Sequence, residues 1–215
     1  MSPPSIPRTP WSGAEGAEAK VEAIEFLGVP AVRKVRPAKT YRPADLDLRL
    51  RTGRLRTEVR LLREARRAGV RTPIVLDVDE SELVLVLERL PGTPLTEHLS
   101  APEVPAEERE RLVGLWGELL GRLHQAGMSH GDLTASNVLW DGHRLSLLDL
   151  SLGSKDPSLE ERGIDLHLVE EDLNTLTPDA ARLFRVFVDR YARAYRSSPE
   201  VLERVREIRG RIRYA

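Results

Sequence analysis

The sequence predicts an α+β fold of two lobes, an antiparallel sheet with one helix followed by a mainly helical lobe. Three observations carry this. The first third alternates at strand period, in Val21, Ile24 and Phe26 and again in Ala31-Val32-Arg33-Lys34-Val35. A Leu90-Pro91-Gly92 break then ends the last of these strands, and helical spacing takes over. Finally, 215 residues with 40% apolar and 31% charged side chains suffice for one large domain or two lobes sharing a core, which excludes wholesale disorder.

Taken in order, the first two strands are joined by a turn at Gly28-Val29-Pro30. Residues 45–69 place Leu55, Val59 and Leu62 at helical spacing, with Gly69 as a stop. Thr72-Pro73 breaks the chain before two more strands, 74–78 and 83–90, the second almost wholly apolar as in a buried strand. A helix over 105–125 presents Leu112, Leu115, Trp116, Leu119 and Leu123 on one face. Short strands at 138–140 and 145–150 flank an Asp141-Gly142 hairpin turn. Three helices follow at 164–173, 178–195 and 199–208, the second burying Leu183, Phe184, Phe187 and Tyr191. The expected organisation is a flexible tail over 1–10, a domain over 11–208 with lobes at about 11–90 and 93–208, and a mobile basic tail over 209–215.

Composition excludes several function classes. The absence of Cys rules out disulfides, thiolate metal sites and cysteine nucleophiles, so any metal must take oxygen or imidazole. No run approaches the roughly 18–20 apolar residues of a membrane span, and the proline-rich start lacks a signal core, so a cytoplasmic protein is expected. The formal net charge of -1 hides segregation: residues 33–71 hold fourteen Lys or Arg against four acids, 156–172 seven acids against one Arg, and 204–213 five Arg against Glu207. Only four positions are Lys, namely Lys20, Lys34, Lys39 and Lys155, which singles out each one.

The strongest chemical signal is His130-Gly131-Asp132-Leu133-Thr134-Ala135-Ser136-Asn137, with Asp149 at the end of the next strand. Phosphoryl transfer needs a carboxylate to take the hydroxyl proton and oxygen ligands for the ions that neutralise a triphosphate. An Asp, an Asn five positions on, and a second Asp past a hairpin match the kinase catalytic loop and metal-binding Asp, with Gly131 where most protein kinases carry Arg. Lys34 lies mid-strand and Glu58 on the following helix, the order in which kinases place a phosphate-holding Lys and the Glu that orients it. Gly16, Ala17, Glu18 and Ala19 form a small-residue loop ahead of that strand, where backbone N–H groups can approach phosphates. At the lobe junction Leu87-Glu88-Arg89-Leu90 would offer strand-end backbone to an adenine.

These motifs, together with Lys39-Thr40-Tyr41-Arg42-Pro43, Gly163-Ile164-Asp165-Leu166-His167 and Arg209-Gly210-Arg211, resemble one family over nearly the whole chain: the small atypical serine/threonine kinases of the KEOPS complex. The resemblance implies a minimal, two-lobed protein-kinase-like fold, an antiparallel-sheet N-lobe and a helical C-lobe. It implies a non-specific serine/threonine protein kinase that binds ATP and Mg2+, autophosphorylates, and mostly hydrolyses ATP beside the threonylcarbamoyl-transferase and other KEOPS subunits. That assembly supports threonylcarbamoyladenosine formation in tRNA next to the anticodon. By position, Asp132 is the catalytic Asp, Asn137 and Asp149 bind metal, Lys34 contacts phosphates, Glu58 orients Lys34, and Glu88 and Leu90 sit at the nucleotide hinge. Glu18 lies in the loop over the phosphates, and Arg209, Arg211 and Arg213 reach toward the partner or tRNA. One departure stands out: Asp149-Leu150-Ser151 replaces the usual Asp-Phe-Gly, and Ser151 resists backbone angles that Gly accepts. Two other readings compete, a small-molecule phosphotransferase of the aminoglycoside or choline type, which shares a His-Gly-Asp loop, and a nucleotide-binding pseudokinase scaffold, which Ser151 would motivate.

Overall fold

A computed structural model describes residues 19–212. The first lobe is a four-stranded antiparallel sheet, order β1-β2-β4-β3, built from β1 (Lys20–Phe26), β2 (Val29–Val35), β3 (Val75–Asp79) and β4 (Val84–Glu88). The turn from β1 to β2 is Leu27-Gly28, both at positive φ, and Val29 and Pro30 already pair with Phe26 and Glu25. Two left-handed residues match the twist of the flanking strands, which is why the turn is one residue earlier and tighter than the Gly28-Val29-Pro30 expected. Strand β4 lies inside the sheet, and Val84 to Leu87 are buried, as their unbroken apolar run predicts.

Helix α1 (Ala44–Arg67) crosses between β2 and β3. It carries Asp45 and Asp47 in its first turn and Arg66 and Arg67 in its last, each favourable to the helix dipole. Its inward face is Leu55, Glu58, Leu61, Leu62 and Ala65. A carboxylate in that apolar row needs a partner, because an unpaired buried charge costs several kcal/mol, on the order of 3–5.

The second lobe begins with two elements that the sequence reading did not place, β5 (Thr93–Pro94) and α2 (Leu95–Ser100). It continues with α3 (Ala106–Gln125), a 3-10 turn at Ala135–Asn137, β6 (Val138–Trp140), β7 (Leu145–Leu147), α4 (Leu159–Leu176), α5 (Ala180–Ala194) and α6 (Ser198–Ile212). Strands β5, β6 and β7 form a small antiparallel sheet. Helix α3 packs on α5 through Gly117 and Gly121, where a Cβ would lie 2.2 Å from the Phe187 carbonyl oxygen and 2.6 Å from Ala194 Cβ. Trp116 meets Phe187 edge to face with ring centroids 5.5 Å apart.

Three boundaries differ from expectation for identifiable reasons. Helix α4 starts at Leu159, not 164, because Ser158 and Glu161 form a capping box: Glu161 N–H donates to Ser158 Oγ (3.2 Å) and Ser158 N–H to Glu161 Oε2 (2.8 Å). Strand β7 stops at Leu147, since Asp149 turns left-handed at φ 51°. Helix α6 runs past residue 208 to Ile212, so Arg209 is no tail residue: its guanidinium grips both Glu170 oxygens at 2.6 Å and lies over the Phe184 ring. Arg213 and the expected 1–10 tail lie outside the described residues.

One apolar core runs through both lobes, from Leu55, Leu62 and Leu85 through Leu133 and Leu150 to Trp116, Phe187 and Tyr191. Among the described residues no helix is long and apolar enough to cross a membrane.

Candidate active site

Strand β2 pairs Lys34 with Val21 on one side and Leu85 on the other, which fixes its ammonium under the sheet, 5% exposed. There Lys34 Nζ lies 2.7 Å from Glu58 Oε1 and 2.9 Å from Asp149 Oδ1. The inward face of α1, the middle of β2 and the loop after β7 therefore converge on one cation. Two residues on, Arg36 donates from Nη2 to the other Glu58 oxygen at 2.5 Å and lies 3.9 Å from Asp149 Oδ1. Two cations and two carboxylates balance, so the cluster tolerates burial that no single member would. Burial alone would raise the Asp149 carboxyl, but the Lys34 charge and hydrogen bond, the contact with Ser151 and the Arg36 charge outweigh it and hold Asp149 well below the usual carboxylate range. These contacts all go to Asp149 Oδ1.

The second half of the site is the loop from His130 to Asn137. Asn137 Nδ2 donates to the Asp132 carbonyl (2.8 Å) and to Asp132 Oδ2 (3.3 Å), so the two side chains expected to act together do meet. The Leu148 N–H donates to the Asn137 carbonyl at 2.9 Å, which sets Asn137 beside the residue preceding Asp149. The His130 ring spans the same gap: its Nδ1 accepts from the Asp132 N–H (3.3 Å), so Nε2–H donates to the Leu148 carbonyl (2.9 Å). Gly131 explains the departure from Arg at this position. It has φ 81°, and a Cβ would lie 2.1 Å from the Leu152 carbonyl oxygen, so no side chain fits.

Helix α4 holds this loop by its backbone. Both oxygens of the buried Asp165 accept main-chain N–H groups, from His130 and from Gly131, each at 2.7 Å. One turn pair further, Asp172 accepts the Ala135 N–H at 2.6 Å. Burial, and then the nearby Asp132 charge, raise the Asp172 carboxyl above its ordinary value. His124 of α3 completes the support: Nε2 faces Asp165 at 3.1 Å and Nδ1 faces the Tyr191 hydroxyl at 2.8 Å. Burial lowers its pKa against the pull of Asp165, which leaves a neutral ring that donates to the carboxylate and accepts from Tyr191.

The expectation about Ser151 is corrected. The strained residue is Asp149 itself, at φ 51°, whereas Ser151 is not among the residues at positive φ, so it needs no glycine freedom. Its N–H reaches Asp149 Oδ1 at 3.4 Å, and Leu150 fills the apolar slot fully buried. The motive for a scaffold reading thereby lapses.

At the lobe junction Leu90 is buried, and the Glu88 carboxylate is turned away to the Ile74 N–H (3.0 Å) and Arg66 (3.8 Å), leaving only backbone to serve a ligand there. Leu90 packs with Val32, Leu139, Leu148 and Val21 in a cluster separate from the main core and shared between the two sheets. Of the small-residue loop, Ala19 is buried just ahead of β1, while Gly16, Ala17 and Glu18 lie outside the described residues. Among the described residues no three His, Asp or Glu side chains converge as a self-sufficient metal cage. The donor set suits magnesium nonetheless, because that ion takes one or two carboxylates and completes its shell with water and substrate phosphates. Asp149 supplies a carboxylate held ionised, and Asn137, whose Nδ2 is spent on Asp132, supplies an amide oxygen.

Arg36, Asp172 and the Val32–Leu139 contact were not singled out from sequence, and Asp165 entered only inside the Gly163–His167 motif, with no role of its own. Arg36 leaves a usable signal, an Arg two residues beyond Lys34, just past the end of β2.

With this geometry established, comparison with known proteins is informative. The model of the lipopolysaccharide kinase (Kdo/WaaP) family matches residues 31–177. A probable bifunctional tRNA threonylcarbamoyladenosine biosynthesis protein of Methanosarcina mazei is 43% identical over 201 residues, 93% of this chain but 35% of that protein, so the chain spans about a third of such relatives. The KEOPS complex subunit Bud32 of Pyrococcus abyssi is 35% identical over 209 residues, 93% of this chain and 94% of its own length. A crystal structure of the Rio2 kinase of Chaetomium thermophilum superposes with a TM-score of 0.60 at 14% identity, over 94% of this chain and 70% of that one. The fold is thus the minimal protein-kinase-like fold, and the chain belongs to the lipopolysaccharide kinase (Kdo/WaaP) family and to the Bud32 family.

Proposed function

We propose that the protein binds ATP with magnesium and activates its γ-phosphoryl group, acting as the kinase-type subunit of a KEOPS assembly that supports threonylcarbamoyladenosine formation in tRNA. The observation that carries this reading is Lys34 Nζ held between Glu58 at 2.7 Å and Asp149 at 2.9 Å. The kinship with the Methanosarcina threonylcarbamoyladenosine biosynthesis protein and the Pyrococcus KEOPS subunit supports the biological setting.

In this reading the adenine ring enters the apolar cluster of Val21, Val32, Leu90, Leu139 and Leu148, against the backbone of Glu88 and Leu90. Gly16, Ala17, Glu18 and Ala19 cover the phosphates. Lys34 turns its ammonium from Asp149 to phosphate oxygens while Glu58 keeps it in place, and Arg36 keeps Glu58 in place. Asn137 through its amide oxygen and Asp149 through Oδ2 would hold magnesium, which when bound neutralises charge that develops on the phosphates. Asp132 accepts the proton of the attacking hydroxyl, from a serine, a threonine or water, as that oxygen bonds to the γ-phosphorus and the bond to the β-γ bridging oxygen breaks. Asn137 Nδ2, on Asp132 Oδ2, holds the carboxylate for that transfer.

The functional unit is assigned to residues 11–212. Arg211 and Arg213 remain the candidates for contact with the transferase subunit or tRNA, since Arg209 is committed to Glu170. The test is ATP hydrolysis by the purified protein with and without the transferase subunit and tRNA. Turnover is expected to rise when both are present and to fall by about 10²-fold or more in Asp132→Ala and in Lys34→Ala. Turnover unchanged in both variants would overturn the reading, and phosphorylation of an aminoglycoside with no response to tRNA would replace it.

A further inference from the structure

Asp149 is held through one oxygen. Its Oδ1 meets Lys34 Nζ at 2.9 Å, the Ser151 N–H at 3.4 Å and Arg36 Nη2 at 3.9 Å. Lys34 is the nearest of these, and it is the group that leaves for the phosphates in the reading above. Once it has turned away, Oδ1 keeps a single hydrogen bond from Ser151, at a length where such bonds are weak. Arg36 stays in place. Its side chain is 2% exposed, its N–H donates to the Leu83 carbonyl at 3.3 Å, and its carbonyl accepts from Arg51 Nη1 at 3.0 Å. Arg51 is fixed in turn by Asp47 at 2.6 Å. Within the guanidinium, Nη2 serves Glu58 Oε2 at 2.5 Å, whereas Nε is buried and has no hydrogen-bond partner among the described residues. A buried N–H without an acceptor is rare and costly, so it calls for a reason.

We propose that Arg36 is the second partner of Asp149 and takes over its Oδ1 when Lys34 engages the nucleotide, an inference that rests on the ATP reading above. A guanidinium carries its N–H donors in a rigid fork, so one Arg can hold two carboxylates at once. The movement required is small, since about 1 Å brings 3.9 Å down to hydrogen-bond length. With its backbone pinned on both sides, Arg36 can make that movement by side-chain rotation alone. The exchange keeps Asp149 paired throughout. Without nucleotide, Lys34 and Arg36 face Glu58 and Asp149; with it, Arg36 faces both carboxylates while Lys34 answers the phosphates. Oδ1 then remains tied and Oδ2 remains aimed where the ion would bind, so Arg36 is a positioning residue that acts through Asp149. A role confined to Glu58 is a poorer account, because it uses one nitrogen and leaves the buried Nε unexplained.

The test titrates the full chain with the non-hydrolysable ATP analogue AMP-PNP by calorimetry, once in magnesium chloride and once in EDTA. Wild type is expected to bind more tightly with magnesium. Arg36→Gln, which keeps an N–H for Glu58, is expected to lose about tenfold of that gain while its affinity in EDTA stays within about twofold. In an Asp149→Asn background the same substitution should change neither affinity further. Equal losses in magnesium and in EDTA would assign Arg36 to Glu58 alone and overturn the proposal. A full magnesium gain in Arg36→Gln, or a wild type indifferent to magnesium, would do the same. Should the variant not fold, a crystal structure of the wild type with AMP-PNP decides the matter. It is expected to show Lys34 on a phosphate and an Arg36 nitrogen within about 3.2 Å of Asp149 Oδ1. Lys34 on a phosphate with Arg36 still at 3.9 Å would refute the exchange. No binding of AMP-PNP by the wild type in either buffer would sink the enzymatic reading and this inference with it, whereas nucleotide binding with an unaffected variant would sink the inference alone.

Discussion

Arg36 is 2% exposed, points into the same cluster as Lys34, and satisfies the Glu58 oxygen that Lys34 does not reach. Removing one partner from a buried ion pair leaves a charge uncompensated and costs about 3–5 kcal/mol. Arg36→Met is therefore expected to destabilise the protein by about that much in urea unfolding at constant m-value; stability within 1 kcal/mol of wild type would contradict the network described. Asp149 makes a pH prediction. Its folded-state pKa lies below the ordinary 3.8, so its contribution to stability is full above that value and is lost as the pH falls through the lower, folded value. Asp149→Asn should flatten the decline in Tm below pH 4, and an identical acid decline in the variant would refute the pairing with Lys34. Lys34, Glu58, Asp132, Asn137 and Asp149 were legible from sequence because their order and spacing carry the chemistry. Arg36 was hidden by its setting, one of fourteen cations in 39 residues, and Asp165 by its partners, since a side chain that binds backbone N–H groups selects no residue type at the other end.

Among the elements, α3 and α5 show how the sequence sets a helix packing distance. With Gly117 against the Phe187 carbonyl, an added methyl must push two buried helices apart, because the atom it meets is backbone. Gly117→Ala is expected to cost about 1–3 kcal/mol, overpacking outweighing the better helix propensity of Ala. A gain in thermal stability would show that the helices are less tightly seated than described. Helices α1, α3 and α5 were readable from their apolar stripes. Helix α4 was read five residues short at its start and three at its end, since its inward face mixes Gly163 and Asp165 with Leu166 and Val169 and so blurs the stripe, although the Ser158–Glu161 box marks its true start. Strand β5 and helix α2 are too short for periodicity to detect. The small sheet that includes β5 is shaped instead by Gly92, whose Cβ would meet the Trp140 carbonyl oxygen at 2.4 Å.

For the whole molecule, a net charge of -1 results from strongly basic and strongly acidic stretches that the fold uses differently. Part of the basic first lobe is consumed inside, where Lys34 and Arg36 face Glu58 and Asp149. Part ties the lobes together, as Arg71 does through Asp141, and part is left outside, as Arg49, Arg56, Arg60 and Arg63 are on α1. In the acidic stretch, Asp165 and Asp172 turn inward to hold the loop from His130 to Asn137, and Glu170 fixes α6 through Arg209. The division into a sheet lobe and a helical lobe was visible in the change of period at Leu90-Pro91-Gly92. A core shared by the lobes was expected from length alone; which residues carry it across was not visible, because Leu133 and Leu150 sit in short segments of no clear period.

The central claim is that the Lys34–Glu58–Asp149 cluster is a phosphoryl-transfer site and not merely a buried ion-pair network. Single-turnover release of the γ-phosphoryl group from ATP, with magnesium and protein in excess, tests it most directly. The account predicts measurable release by wild type, a loss of about 10²-fold or more in Lys34→Ala, and a smaller loss in Glu58→Gln, which retains a hydrogen bond to Lys34. Equal release by all three folded proteins, or none by wild type with its partner subunits and tRNA present, would contradict it.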